Sequence, residues 1–361
     1  MSCLLRFFAL CCLSSALCAA AEQHFLYMAS PDAAQNEGKS GDGVLIFDID
    51  NGHKFLRRID VPGFHEGIRG FCANAATGRA YYTTTGRLLG CLDLNTDKVL
   101  WERRLDAGCD RAAVTPDGSK LYVPTGWWTP GPESGWFIVN AQDGEVIQRL
   151  KFGTTAHNTV MSLDGSFVLC GTETMLTKIR TKDDQIVQEI KPIGESGVFP
   201  MTVNAAGTRA YACLGKHVGF DVADLTNGTV LCRVLAGDGT LERRTHGVAL
   251  TPDEKELWIS DQVGKQLFVF DNTVSPPREK AHVDLSMGGH GWVTFSLDGR
   301  FAWCHTPDVI DARTRQVVAK LQDEHGNPVA GSKFFEAVFA DDKLVRTGDQ
   351  FGVGRAPVAV K

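Results

Sequence analysis

The chain lacks most of the short signatures that betray an activity. It contains no CxxC pair, no HExxH, no CxxCH haem attachment, no P-loop and no nucleophile elbow. A zinc knuckle, a zincin helix, a covalently attached c-type haem, a nucleotide phosphate cradle and an α/β-hydrolase elbow therefore have no sequence support. No basic run is present, and the formal net charge is −6, so a dedicated nucleic-acid binder is not expected. Beyond the N-terminus no stretch reaches the ~18 consecutive apolar residues of a membrane-spanning helix. Helix-like apolar periodicity is scarce too. Glycine, by contrast, is plentiful at 38 residues, and with 14 prolines it points to a chain of many turns. A hydrophobic share of 43% with 22% charged residues marks a globular protein of 361 residues.

Residues 1–21 read as a signal peptide, with 22–361 as one domain. Arg6 gives a positive start, Phe7 to Leu17 an apolar centre of suitable length, and Ala19-Ala20-Ala21 a small-residue cleavage site. The expected location is periplasmic or extracellular. Cys18 raises lipid anchoring, although Leu17 stands where a lipobox takes Gly, Ala or Ser. Seven cysteines remain after Ala21, an odd number that cannot all pair within the chain.

One unit recurs. Val114-Thr115-Pro116-Asp117-Gly118-Ser119-Lys120-Leu121-Tyr122-Val123 returns around Asp164, Asp253 and Asp298, with weaker copies at Ala76, Ala206 and Asp341. The seven positions are 41, 47, 42, 47, 45 and 43 residues apart. Each copy sets a Pro-Asp-Gly-like turn between two apolar runs, which predicts a hairpin. Two further strand series lie between hairpins: a third strand such as Leu267 to Asp271, and a fourth such as Val146 to Lys151. Each series has seven members, and four-stranded units repeated radially make a propeller. The fold class expected is all-β, a seven-bladed β-propeller.

Closure follows from the ends. The chain after Ala21 begins on a second-type strand, His24 to Ala29, with no first strand before it. A spare first strand, Phe334 to Phe339, comes last. Pairing the two completes one blade and ties the ring shut.

The second strands carry Tyr27-Met28-Ala29-Ser30, Tyr81-Tyr82-Thr83-Thr84, Tyr122-Val123-Pro124-Thr125, Val168-Leu169-Cys170-Gly171, Tyr211-Ala212-Cys213-Leu214, Trp258-Ile259-Ser260-Asp261 and Ala302-Trp303-Cys304-His305. This series resembles the YVTN family of bacterial and archaeal β-propeller repeats. The resemblance covers the chain beyond the leader, and no copy keeps the tetrapeptide intact. It implies fold and leaves function open. Cys170, Cys213 and Cys304 share one position of the tetrapeptide, so they are read as small buried residues on separate blades. Trp101, Trp258 and Trp303 are read as core.

In such a ring the starts of the first strands share a face with the loops joining second to third strands, around the channel mouth. Seven residues before each turn position stand Arg69, Asp110, His157, Phe199, His246, Gly291 and Phe334, with His290 beside Gly291 and Arg111 beside Asp110. Packing alone does not call for Arg, Asp and His there. The insertion Trp127-Trp128-Thr129-Pro130-Gly131-Pro132-Glu133 belongs to the same face, and two adjacent exposed indoles are costly unless they cover something. Loops with Phe64-His65-Glu66 and Glu242-Arg243-Arg244 also enter it. The ligand-binding candidates are thus Arg69, Asp110, Arg111, Trp127, Trp128, His157, His246 and His290.

The histidines admit three readings. His157, His246 and His290 can ligate a transition metal or face a haem-type cofactor, contact a ligand, or cap inner strands. Two functions stay open: an exported binding propeller, monomeric, taking a small molecule or protein partner, or a periplasmic oxidoreductase or lactonase-like enzyme using those histidines. YVTN repeats are similar in fold to cytochrome d1 and lactonase propellers, which is what connects the second function to this chain.

Overall fold

The computed structural model describes residues 21–35, 38, 40–129, 131–195 and 200–349. The leader reading, apart from Ala21, and Phe199 and Pro130 lie outside them. Among the described residues no helix is long and apolar enough to cross a membrane.

The hairpin turns are set by hydrogen bonds that the repeat sequence encodes. Thr115 Oγ1 donates to Asp117 Oδ1 at 2.6 Å, and the same carboxylate oxygen accepts Ser119 N at 3.0 Å. Ser162–Asp164, Thr251–Asp253 and Ser296–Asp298 repeat the hydroxyl bond at 2.7, 2.8 and 2.6 Å. In the weaker copies Asn74 and Asn204 accept backbone N–H groups instead. These are Asx turns, and each fixes the register of the strands it joins.

Seven antiparallel sheets result. Six have four strands in sequential order, and the seventh has five. The first three strands of each blade are buried almost without interruption, because both sheet faces pack on neighbouring blades; Gly135–Asn140 is an example. Outermost strands alternate, as in Lys98–Arg104. In every blade the third and fourth strands slip register by one residue, a bulge that twists the outer edge. Trp258 and Trp303 are buried, but Trp101, on an outer strand, is only half-buried at the core margin. All seven cysteines in the described residues are free, and Cys170, Cys213 and Cys304 are buried on separate blades.

The ends close the ring as the sequence predicts. Glu22–Ser30 pairs with Gly43–Asp48 on one side and Phe334–Ala340 on the other, with Met28 opposite Phe334 and Phe25 opposite Ala337. Tyr27 stacks on Phe335 at 5.1 Å, and Phe335 meets Phe71 of the next blade at 4.7 Å. One expectation needs correction. Phe334–Ala340 is not the last strand, since the chain turns at Asp341-Asp342 and Lys343–Asp349 pairs along it as a fifth strand. The weak repeat copy at Asp341 marks this turn, but the short, mostly polar run after it does not read as a further strand of the blade. It runs on the channel side of the closing blade, where Thr347 Oγ1 reaches Ala73 O at 3.5 Å.

Candidate functional site

The starts of the inner strands approach one another closely around the channel. A Cβ at Gly70 would meet Asp110 O and Arg111 Cα at 3.0 Å, and one at Gly247 would meet Gly291 O at 2.5 Å. Backbones this close leave little space for side chains except upward into the mouth. There the ring brings together residues from six blades.

At the centre stands Asp110, fully buried. Its Oδ2 accepts Arg69 Nη2 at 3.1 Å and contacts His157 Nδ1 at 2.6 Å. Burial would raise this carboxyl, but Arg69 and His157 outweigh that and hold it well below the usual carboxylate range. Arg111, also buried, crosses the channel to lay its guanidinium 3.8 Å over the Trp292 ring. His246 and His290 bring their rings to 3.5 Å between centroids. Burial first, and neighbouring cationic or imidazole groups second, push both well below the ordinary histidine value. Both are therefore neutral near pH 7.

A second buried ion pair lies alongside. Asp32 Oδ2 accepts Lys333 Nζ at 3.1 Å, Ser332 Oγ at 2.8 Å and Ser332 N at 2.8 Å. Burial, reinforced by Arg111, brings Lys333 down to about 7. Gln35 Nε2 donates to His290 O at 2.8 Å and ties this pair to the histidines.

Above this floor is a cavity of about 340 Å³ walled by Ala34, Arg69, Trp127, His157, Arg244 and His290. The two indoles at its rim are 53% and 40% exposed, and Arg69 lies 5.0 Å from the Trp128 ring centroid. Trp128 is seated over Gly108 and Gly126, where a Cβ would strike the indole at 2.4 and 2.6 Å, and Gly126 holds φ at 89°. The rim is a built surface.

All eight residues read from the sequence stand on this one face. Phe64-His65-Glu66 contributes less than expected: Phe64 is buried in the core and Glu66 pairs with Arg104 at 2.7 Å. The sequence reading missed Asp32, Lys333 and Trp292. Lys333 precedes Phe334 as His290 precedes Gly291, and Asp32 lies in the loop class that holds Trp127, so both had a positional signal. His305, the last tetrapeptide residue of its blade, packs beside Gly289 and Gly291. Among the described residues no three His, Cys, Asp or Glu side chains are grouped so as to hold a metal ion. His157 is turned to Asp110, and His246 and His290 present ring faces to each other.

Comparison with known proteins supports the architecture. No family model matches the chain, and no curated protein matches it. Among solved structures it is similar to Kuenenia stuttgartiensis hydrazine synthase, at a TM-score of 0.60 and 17% identity over 81% of this chain and 91% of that one. A likeness at that identity carries the fold alone.

Proposed function

We propose that this propeller is a binding protein that holds a small molecule at its channel mouth. The observation that carries the reading is the cavity of about 340 Å³, whose polar and aromatic wall is gathered from separate blades. A concave site with convergent polar groups and perturbed titrations is the arrangement expected of a ligand pocket. Its volume lies at the small end of the range for such pockets, which favours a small molecule over a protein partner. The test is a small-molecule panel scored by thermal shift on the wild type and on the Trp127→Ala/Trp128→Ala double variant. Compounds that stabilise only the wild type support the mouth; compounds that stabilise both equally speak against it.

The alternative is a periplasmic oxidoreductase or lactonase-like enzyme with a metal or haem-type group on the histidines. The neutral state of His246 and His290 is the form a metal takes, and that alone supports this reading. An absorption spectrum and metal analysis decide it: stoichiometric metal lost on replacing His157, His246 and His290 by alanine would favour the enzyme. The tetrapeptide positions support membership of the YVTN repeats, and residues 1–21 support export, to be checked by N-terminal sequencing of the protein isolated from its native cells.

A further inference from the structure

We infer that the ligand is a small organic anion, a carboxylate carried on a flat apolar body. This rests on the ligand-binding reading of the mouth.

Charge makes the first argument. The buried floor holds two guanidinium groups, Arg69 and Arg111, and the Lys333 amine, brought down to about 7, beside two carboxylates, Asp32 and Asp110. Arg244 joins Arg69 in the cavity wall. Among the described residues, two guanidinium residues and no carboxylate line the cavity itself, a wall that favours an anionic ligand over a cationic one.

Unused hydrogen-bonding capacity makes the second. Arg69 spends Nη2 on Asp110, while its buried Nε has no partner among the described residues. His290 Nδ1 is likewise buried and unpaired among them. Both residues line the cavity. A guanidinium edge beside an imidazole is well matched to a carboxylate, which it can bind with paired, charge-assisted bonds.

Shape makes the third. Trp127 and Trp128 stand edge to face at 6.0 Å beside Arg69, giving an aromatic rim next to the charged floor. A ligand with its carboxylate down and a planar apolar part against the rim satisfies both. An adjoining groove of about 490 Å³ shares Ala34 and His290 and carries Lys265 at its edge, so a longer acid also fits.

The test uses 2-naphthoate and 2-naphthamide, which match in shape and differ in charge, titrated calorimetrically into the full chain. 2-Naphthoate is expected to bind at least about tenfold more tightly than the amide. In Arg244→Gln it should weaken by roughly tenfold to a hundredfold, the loss of one charge-assisted contact, with the amide little changed. Arg244 is only half-buried, so this variant keeps its fold, which a thermal melt verifies. Equal affinity for both probes, each lost in Trp127→Ala/Trp128→Ala, would overturn the anion and leave the mouth reading standing. A preference for the carboxylate that survives in both Arg244→Gln and the double tryptophan variant would place binding elsewhere and overturn both. Failure of 2-naphthoate to bind with a dissociation constant below about 1 mM would also overturn the inference.

Discussion

Replacing Asp110 by asparagine should weaken the fold and strengthen anion binding at the same time. The side chain is fully buried, and one oxygen serves both Arg69 at 3.1 Å and His157 at 2.6 Å. Asparagine keeps the size and removes the charge. Arg69 is then left almost buried without its counter-ion, since only 11% of its side chain is exposed. Breaking one partner out of a buried ion pair typically costs about 3–5 kcal/mol, and two hydrogen bonds to a charged group at about 1.5–3 kcal/mol each agree with that range. The net charge of the mouth rises by one, and Arg69 is freed to meet a ligand carboxylate. Urea denaturation of the wild type and Asp110→Asn gives the stability difference from the shift in midpoint. Calorimetry with 2-naphthoate gives the affinity, expected to improve severalfold or more. A variant within about 1 kcal/mol of wild type, or one with weaker 2-naphthoate binding, would refute the electrostatic reasoning.

Three more outcomes bear on the fold and its pH response. Phe335→Ala removes a fully buried ring that stacks on Tyr27 and meets Phe71, so closure should lose about 3–5 kcal/mol, seen as a lower urea midpoint. Ending the chain after Ala340 removes the fifth strand with the residues after it and should leave a folded ring with a lower midpoint. Ending it after Ser332 removes the closing strand, and circular dichroism should then show no cooperative transition. Because the folded-state values of His246 and His290 lie below their unfolded values, both contribute stability above about pH 6.5 that is lost on acidification. Stability should fall below that pH, at up to about 1.4 kcal/mol per pH unit for each imidazole, read as a lower urea midpoint, and His246→Gln should flatten the decline.

What could be read in advance follows from how tightly local chemistry fixes geometry. The Ser/Thr-x-Asp turns set strand register in the sequence itself, so aligning them located Arg69, Asp110, His157 and His246 at one level of the channel. A first blade lacking its first strand and a spare first strand at the far end implied closure for the same reason. The copy at Asp341 marked the turn before Lys343–Asp349, but that the strand after it adds a fifth member to the closing blade is a tertiary fact the repeat does not carry. Asp32 escaped because an irregular loop carries it, and the bond to Lys333 joins residues 301 positions apart. Which charges neutralise one another, and which remain in excess, only the assembled ring decides.

Crystals of the full chain grown with 2-naphthoate address the central claim most directly. The account predicts ligand density between Arg69, Trp127, His157, Arg244 and His290, with the carboxylate toward the guanidinium groups. Density instead at the opposite end, between Ala73–Ala76 and Val345–Thr347, or a mouth left empty at saturating ligand, would contradict it.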